Sequence, residues 1–356
     1  MIQVTKPFFP PEEEYQELLH EIWKNGWITN NGPFVKTLEE KLKNYLKVKN
    51  ILYVGNGTIA LQIAIKALEL EGEIITTPFS YVATSSSIVW ENCTPVFADI
   101  DPDTFNIDPS EIERKITSRT TAILATHVFG NPCDVEQIRN IANDYNLKVI
   151  YDAAHCFGTS YKGSSIFNWG DISTASFHAT KIYHTVEGGA VFSKNEKLIK
   201  KMSFMRNFGH NGPAKFKGVG INGKNSELHA AMGVLNLKYI ESILERRKDQ
   251  YYKYQKGLKE CEVQFQNIQP NASINYSYFP VLFKDEKQLL EIIDALKTEL
   301  IFPRRYFYPS LNKLNYTGGK APVSEDIASR ILCIPLYHEL SSSDQNKVIK
   351  IISENL

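Results

Sequence analysis

The sequence predicts an α/β fold: a large domain built on a seven-stranded, mostly parallel sheet, followed by a smaller C-terminal α/β domain. Two observations support this prediction. Short apolar runs rich in β-branched residues alternate with helical stretches between residues 51 and 193, which is typical of a doubly wound sheet. In addition, 356 residues are long for a single hydrophobic core.

The seven apolar runs are about as long as typical β-strands, and seven strands suit the sheet of one large domain. Helices are predicted between several of them, for example over Thr58–Glu69 and Val135–Asn146. The predicted strands are Ile51–Gly55, Glu73–Pro78, Thr94–Asp99, Thr121–Val128, Lys148–Asp152, Ile172–Phe177 and Ala190–Ser193.

The predicted boundary between the two domains follows a long helical stretch. We expect residues 1–245 to form the large domain and residues 246–356 the small one. Residues 1–50 are expected to be an amphipathic helical segment that packs on the large domain and is broken by the turn-rich Asn30–Pro33. The helical stretch Ser226–Glu245 could link the two domains.

The overall charge is balanced, with 40 Lys plus Arg and 40 Asp plus Glu, so it gives no general attraction to nucleic acid or an anionic membrane. The first ten residues lack the basic and apolar regions of a signal peptide, and no apolar run is long enough to span a bilayer. Five scattered cysteines without a Cys-x-x-Cys pair are typical of free thiols in a reducing compartment. We therefore expect a cytoplasmic protein.

The segment Gly55–Ala60 follows the first predicted strand and opens a helix. Free backbone N–H groups and the positive dipole end at a helix N-terminus form an anion site, and glycine allows a phosphate to approach the backbone closely. The segment therefore indicates a phosphate-binding turn. The alternative is an ordinary strand-to-helix turn with Thr58 near the N-cap.

Asp152 ends the fifth predicted strand, within Tyr151–His155. Ligands of open α/β sheets bind outside the carboxyl ends of the strands, so this side chain is expected to point into the crevice. A carboxylate there can pair with a pyridinium nitrogen and keep it protonated, which strengthens the ring as an electron sink. The alternative is an aspartate that caps a helix.

Lys181 closes the segment Ser176–Lys181 after the sixth predicted strand, where no amphipathic pattern requires a charge, and Glu187–Ala190 comes after it. A lysine at a strand end in a water-poor crevice has a lowered pKa and can bond covalently to a carbonyl carbon. The Ser176 hydroxyl could donate a hydrogen bond to a phosphate. Taken alone, Lys181 would instead be interpreted as a solvated surface charge.

The order of these motifs resembles that of fold-type-I enzymes, which use pyridoxal 5'-phosphate. Within that group the sequence is similar to the DegT-type family of sugar-nucleotide aminotransferases over nearly the whole chain. Several independent segments in one order are more specific than any one of them. The segments that resemble the family are Trp27–Pro33, Gly57–Thr58, Pro78–Thr84, Asp152–His155, Ser176–Lys181, Glu187–Gly189 and Ser226–Leu228.

The resemblance implies roles for individual residues. Lys181 is implied to bind the cofactor covalently and to move the proton, and Asp152 to face the pyridine nitrogen as the second catalytic residue. The other implied cofactor contacts are His155 near the ring hydroxyl, Tyr81 stacked on the ring, and the amides of Gly57, Thr58 and Ile59 with the Ser176 hydroxyl around the phosphate.

The resemblance also implies a homodimer with shared active sites. Asn222 matches an asparagine that the family extends across the dimer interface to the partner's cofactor phosphate. Two residues later the family usually has an arginine, whereas this chain has Lys224, which keeps the charge but loses the bidentate geometry. This departure bears on a contact with phosphate or diphosphate and leaves the catalytic residues unaffected.

The implied reaction transfers an amino group from L-glutamate to a keto carbon of a nucleotide-linked 6-deoxyhexose, for surface polysaccharide such as O-antigen. Three segments are similar to enzymes that act at C4 of dTDP-4-keto-6-deoxyglucose, namely Trp27–Pro33, Gly220–Lys224 and Arg304–Pro309. The residues implied to contact the substrate are His178, Lys224, Arg305 and Tyr306.

Other functions remain open at this point. They include a C3-specific aminotransferase, a sugar dehydratase with the same cofactor, and a non-catalytic sensor of pyridoxal phosphate or a sugar nucleotide. A nicotinamide oxidoreductase is disfavoured because the glycine pattern of Gly218–Gly223 follows no predicted strand. A metal site is not expected, since the spacing of His178, His184 and His210 suits no set of ligands.

Overall fold

The computed structural model describes residues 1–356, which form eleven α-helices and fifteen β-strands. The helices are α1 Glu12–Asn25, α2 Pro33–Tyr45, α3 Gly57–Ala67, α4 Val82–Trp90, α5 Pro109–Arg114, α6 Val135–Asp144, α7 Glu196–Met205, α8 Glu227–Gly257, α9 Glu286–Thr298, α10 Pro322–Arg330 and α11 Ser342–Glu354. The strands are β1 Ile2–Gln3, β2 Ile51–Val54, β3 Glu73–Thr76, β4 Thr94–Phe97, β5 Thr120–Thr126, β6 Lys148–Asp152, β7 Ser160–Tyr161, β8 Ser164–Ser165, β9 Ile172–Ser176, β10 Gly189–Phe192, β11 Gln264–Phe265, β12 Ala272–Ser273, β13 Pro280–Leu282, β14 Ile301–Phe302 and β15 Ile331–Cys333.

The central sheet has seven strands in the order β2-β10-β9-β6-β5-β3-β4. Neighbouring strands are parallel, except that β10 runs antiparallel to both β2 and β9. Each of the seven runs predicted from the sequence overlaps one of these strands. The prediction of a seven-stranded, mostly parallel sheet is therefore confirmed.

Both faces of this sheet are covered by apolar side chains. Leu52 and Val54 belong to one buried cluster, whereas Tyr53 belongs to another. Successive side chains of a strand point to opposite faces, so the two clusters lie on opposite sides of the sheet. This explains why the strands appear in the sequence as continuous apolar runs rather than as alternating patterns.

The carboxyl ends of β2, β6 and β9 lie at one edge of the sheet. Strands β6 and β9 are parallel, and β2 and β9 both pair antiparallel with β10, so all three run in the same direction. Gly55 follows β2, Asp152 ends β6 and Ser176 ends β9. The fold therefore brings the three predicted motifs to the same edge.

The N-terminal helices pack on one face of the sheet. Ile22 of α1 and Leu38 of α2 belong to the same buried cluster as Tyr53 of β2. The start of α2 is also held by the buried Glu227 carboxylate, which accepts hydrogen bonds from the Phe34 amide at 2.6 Å and from the Val35 amide at 3.1 Å. These contacts connect α2 to the first turn of α8.

Helix α8 is longer than predicted, because it continues to Gly257 rather than ending near Glu245. Its first half contributes Ala230 and Ile240 to the core beneath the large sheet. Its second half contributes Tyr254 to a separate core with residues of β13, α9 and α11. The predicted boundary at residue 245 thus falls inside one helix, and the division into two domains stays a prediction.

The C-terminal part contains a second, antiparallel sheet of three strands in the order β11-β13-β15. Strand β1 pairs in parallel with β14, so the first residues of the chain contact its C-terminal part. A two-residue strand has no periodicity, and the sequence therefore did not predict this contact. None of the helices combines the length and the apolar character that crossing a membrane requires.

Candidate active site

A cavity of about 400 Å³ opens at the carboxyl ends of β2, β6 and β9. Most of the side chains predicted as site residues line it, and the others lie outside it. The predicted residues in the cavity wall are Gly57, Thr58, Tyr81, Asp152, His155, Ser176, His178, Lys181 and Tyr306. Those outside the wall are Ile59, Asn222, Lys224 and Arg305.

The phosphate-type turn is formed by the start of α3 and the end of β9. The Gly57 and Thr58 amides begin the helix and have no intrahelical acceptor. A Cβ on Gly57 would lie 3.0 Å from the Ser176 Cβ, so glycine allows α3 to begin close to the Ser176 hydroxyl. Two free amides, a hydroxyl and a helix dipole thus meet at one point, which suits a phosphate.

The third predicted amide of this turn is not free. The Ile59 amide donates a hydrogen bond to Asn56 Oδ1 at 2.8 Å, because Asn56 is the N-cap residue of α3. Asn56 rather than Thr58 therefore caps the helix, and the predicted phosphate contact of the Ile59 amide is not available in this structure. Asparagine is a preferred N-cap residue, which is the signal that could have corrected the prediction.

Asp152 lies in the cavity wall with both carboxylate oxygens hydrogen-bonded. Oδ2 accepts from the Thr84 hydroxyl at 2.8 Å, and Oδ1 accepts from the Ala154 amide at 3.1 Å. Burial raises the pKa of Asp152, while these two hydrogen bonds and the nearby Lys181 charge act in the opposite direction. A cationic ring nitrogen beside Asp152 would further favour its charged form.

Lys181 lies in the turn that follows β9, and its Nζ is 3.4 Å from the Tyr278 hydroxyl. Burial lowers the pKa of Lys181 from 10.5 to about 8, although the Asp152 carboxylate acts in the opposite direction. Desolvation therefore leaves a larger fraction of this amine neutral at physiological pH than an exposed lysine would have. A neutral amine is what a nucleophile or a general base requires.

The tautomer of His155 is fixed by the backbone. Its Nδ1 accepts a hydrogen bond from the Phe129 amide at 3.2 Å, so the proton of the neutral ring lies on Nε2. Burial lowers the pKa of His155 well below its usual value, and the Lys181 charge adds to this effect. The ring is held in place by stacking on Phe307, with 5.7 Å between centroids. An Nε2–H donor in the cavity wall suits the implied contact with the ring hydroxyl.

Tyr81 precedes α4 and has an exposed ring at the cavity, with 57% of the residue accessible. An exposed aromatic face is available to stack on a flat ligand. The same turn holds the Asp152 carboxylate, since the Ser80 and Thr84 hydroxyl oxygens are 2.8 Å apart and Thr84 donates to Asp152. The start of α4 therefore combines a stacking surface with the support of Asp152.

His178 lines the cavity beside the Glu187–Gly189 turn. Its Nδ1 is 2.8 Å from the Thr180 hydroxyl oxygen, and its Nε2 is 3.6 Å from a Glu187 carboxylate oxygen. The Glu187 carbonyl accepts hydrogen bonds from Thr185 and Asn225, which fixes the turn. This arrangement places a polar ring close to Lys181, where it can bind a polar group of a ligand.

Asn222 and Lys224 lie in the loop between α7 and α8. Lys224 Nζ donates to Asn222 Oδ1 at 2.6 Å and lies 4.7 Å from the centre of the Phe208 ring. The Gly223 carbonyl accepts a hydrogen bond from the Gly55 amide at 2.8 Å, so the loop packs against the phosphate-type turn of its own chain. Within one chain neither side chain reaches the cavity, and their role across a dimer interface stays a prediction.

Arg305 points away from the cavity, in contrast to its prediction as a substrate contact. Its guanidinium donates to the Glu286 carboxylate at 2.6 Å and to the Ser329 carbonyl at 2.7 Å. The preceding residue, Arg304, lines the cavity instead. Glu286 at the start of α9 determines which of the two adjacent arginines faces the cavity. No local pattern in Arg304–Pro309 could indicate this contact.

The glycine pattern and the three histidines, considered above as a nucleotide site and a metal site, have other roles. Gly218–Gly223 belongs to the loop after α7 and follows no strand, as its sequence context predicted. His184 Nε2 is 2.8 Å from the Phe8 carbonyl, whereas the His210 ring packs on Phe216. No group of three or more His, Cys, Asp or Glu side chains lies close enough together to hold a metal ion.

Three residues of the site were not singled out from the sequence: Thr84, Tyr278 and Arg304. Thr84 lies in a segment that resembles the family, and its place one helical turn from Ser80 could have indicated it. Tyr278 is 97 positions from Lys181 along the chain, so only the fold brings them together.

The residues of the cavity fit pyridoxal phosphate. The free amides and the Ser176 hydroxyl suit its phosphate, and the Asp152 carboxylate suits its protonated ring nitrogen. The Lys181 amine suits its aldehyde carbon. Each reactive group of the cofactor thus has a counterpart of matching charge or hydrogen-bonding character in one cavity.

Comparison with known proteins gives a match over nearly the whole chain. The profile of the DegT/DnrJ/EryC1/StrS aminotransferase family matches residues 11–353. The chain is 43% identical to dTDP-4-amino-4,6-dideoxy-D-glucose transaminase of Shigella dysenteriae, over 99% of this chain and 98% of that protein. The corresponding Escherichia coli transaminase is 40% identical, with the same coverage. The crystal structure of DesI with its TDP-sugar product superposes with a TM-score of 0.94, at 30% identity, over 99% of this chain and 92% of that one.

Proposed function

The chain belongs to the DegT/DnrJ/EryC1/StrS aminotransferase family and uses pyridoxal phosphate, and we propose that it transfers the amino group of L-glutamate to C4 of dTDP-4-keto-6-deoxyglucose. The observation that supports this most strongly is the 43% identity, over almost the full length of both chains, to a transaminase named for the corresponding 4-amino sugar. The cavity supports the same proposal, because it combines Lys181, Asp152 and the phosphate-type turn.

The roles of the protein side chains follow from their positions. When bound, pyridoxal phosphate supplies an electrophilic carbon for amines and a ring that delocalises negative charge. Lys181 Nζ is the base that removes the proton from the donor's α-carbon and later delivers a proton to C4 of the sugar. Asp152 would place a negative charge beside the ring nitrogen, and the Thr84 hydroxyl keeps that carboxylate oriented by donating a hydrogen bond to it.

The proposal is tested with a panel of keto sugars and glutamate, read by NMR of the products. We expect dTDP-4-keto-6-deoxyglucose to give the 4-amino product with kcat/KM higher than for a 3-keto isomer or a GDP-linked 4-keto sugar by about tenfold or more. Preferential amination of the 3-keto isomer would instead establish the C3-specific alternative. Loss of a sugar hydroxyl without nitrogen incorporation would establish the dehydratase. A yellow holoenzyme whose absorbance is unchanged by glutamate would establish the sensor.

The homodimer is part of this proposal. Asn222 is exposed in its own chain, and the loop that contains it also exposes the apolar side chains of Phe216 and Val219. Exposed apolar groups beside a ligand site favour coverage by another protein surface. The cofactor phosphate of the partner chain would thereby gain a hydrogen bond from Asn222. A hydrogen bond to a charged acceptor is worth roughly 1.5–3 kcal/mol when well formed.

Mixing an inactive variant with a variant damaged in the loop tests whether the active sites are shared. One chain has the substitution Lys181→Ala, and the other has Asn222→Ala with Lys224→Ala. In a hybrid dimer one site contains both lesions, whereas the other has an intact Lys181 and receives an intact loop. Random mixing is therefore expected to restore about a quarter of the parental activity.

The control for this experiment is each variant mixed with itself, which should show no gain in activity. Hybrid formation is verified by using chains with tags of different mass. If hybrids form but activity stays at the level of the controls, the loop serves its own chain and the shared site is refuted.

The state of the cysteines bears on the cellular setting. All five cysteines are free, which suits a cytoplasmic enzyme. We propose that its amino sugar is supplied to the synthesis of surface polysaccharide such as O-antigen. Deleting the gene in its host should then remove the 4-amino sugar from hydrolysed surface polysaccharide.

A further inference from the structure

Arg304 is a cation in the cavity wall without a partner in the protein. Its backbone is held on both sides, because its amide and carbonyl exchange hydrogen bonds with Cys333 at 3.0 and 2.8 Å. Its guanidinium has no ion pair and no hydrogen bond, and lies 5.3 Å from the centre of the Tyr306 ring. The adjacent Arg305, by contrast, is neutralised by Glu286.

The other charges of the cavity have partners once the proposed cofactor is bound. The charged side chains in the wall, histidines apart, are Asp152, Lys181, Glu187 and Arg304. Asp152 would face the ring nitrogen and Lys181 would react with the cofactor, while Glu187 lies 3.6 Å from His178. Backbone amides and Ser176 would hold the phosphate. Arg304 therefore remains available for a negative group of a substrate.

Two tyrosine rings lie between Lys181 and Arg304 in the sequence of contacts along the cavity wall. The Lys181 Nζ lies 3.4 Å from the Tyr278 hydroxyl, and the Tyr278 and Tyr306 rings are 5.6 Å apart. The Tyr306 ring in turn supports the Arg304 guanidinium. Neighbouring contacts through Tyr278 and Tyr306 thus connect Lys181 with Arg304 in the wall of the same cavity.

We propose that Arg304 binds a carboxylate of the amino donor. The inference rests on the proposed transaminase function and adds the group that recognises its donor. Glutamate has two carboxylates close to its reacting α-carbon, and the planar guanidinium matches a carboxylate in a bidentate arrangement. The diphosphate of the sugar nucleotide is another anion that Arg304 could bind. Separate measurements of the reaction with glutamate and of the reaction with the keto sugar distinguish the two ligands.

The test measures each half-reaction of the holoenzyme separately. Glutamate removes the yellow absorbance of the lysine-bound cofactor, and the keto sugar restores it. In Arg304→Gln the glutamate concentration for half-maximal rate should rise about 10- to 100-fold, as expected for loss of a charged hydrogen bond. The keto-sugar concentration for half-maximal recovery should change less than about threefold. Arg304→Lys should restore part of the glutamate affinity.

The matched control is Arg139→Gln, which removes the same charge from an exposed arginine on α6, outside this cavity. It should leave both half-reactions unchanged. The inference is overturned if Arg304→Gln responds to glutamate like the parent, or if only its keto-sugar step weakens, since the cation then serves the diphosphate. If the parent itself does not respond to glutamate, the proposed function fails, whatever the behaviour of Arg304.

Discussion

Replacing Lys181 with alanine is expected to abolish transamination. The side chain is implied to provide both the covalent attachment of the cofactor and the base that moves the proton, and no other amine lines the cavity. Loss of a general base alone typically costs at least about 10² in rate. The measurement is the rate of amino-sugar formation from glutamate, together with the absorbance spectrum of the purified variant, which should lack the yellow band.

The variant should remain folded, because the buried charge of Lys181 is expected to oppose folding of the cofactor-free protein. Burial lowers the pKa of Lys181 from 10.5 to about 8, so between these values the unfolded chain binds more protons than the folded chain. The stability of the parent is therefore expected to rise with pH across this window, and the Lys181 charge disfavours folding below it. At pH 7 the cofactor-free variant should unfold at the same temperature as the parent or at a higher one.

Two control variants accompany this prediction. Lys181→Arg keeps a cation but cannot attach the cofactor in the same way, and it should also be inactive. Lys256→Ala removes an exposed lysine near the end of α8 and should behave like the parent. Turnover of Lys181→Ala at a rate near that of the parent would refute the assignment.

The sequence could predict the sheet, and the position of Asp152 and Lys181 at its edge, because these features depend on local patterns. The strands β2 and β6 are buried on both faces, so they appear as continuous apolar runs. Asp152 ends β6 and Lys181 lies in the turn after β9, at the sheet edge where ligands of open α/β sheets bind. Each residue alone also has an ordinary structural interpretation, so their roles were implied only by the order of the motifs and its resemblance to a known family.

The remaining features depend on contacts between distant segments. Arg304 and Arg305 are equivalent in sequence, and only the pairing of Arg305 with Glu286 leaves Arg304 in the cavity. Tyr278 contacts Lys181 from a position 97 residues further along the chain. The extension of α8 to Gly257 was missed because its second half packs on a core that the sequence does not reveal. Each of these features requires knowledge of what the neighbouring segment contributes.

Replacing Asp152 with asparagine is expected to lower kcat by about 10²–10³, the usual cost of removing one preorganised electrostatic contact. Asparagine has almost the same shape, and its side-chain oxygen can still accept a hydrogen bond from Thr84 or Ala154, so the fold should be retained. What is lost is the negative charge that favours a protonated ring nitrogen. The effect should therefore appear mainly in kcat, with a smaller change in the KM of the keto sugar.

A second readout reports on the charge itself. With ¹⁵N-labelled cofactor, the NMR shift of the ring nitrogen should indicate a protonated ring in the parent and a neutral ring in Asp152→Asn. The matched control is Asp144→Asn at the exposed end of α6, which should leave both the shift and kcat unchanged. If Asp152→Asn instead keeps a protonated ring and parental turnover, Asp152 merely holds the Ala154 turn through its 3.1 Å hydrogen bond. The negative charge beside the ring would then have to come from another residue, and Glu187 is the other carboxylate that lines the cavity.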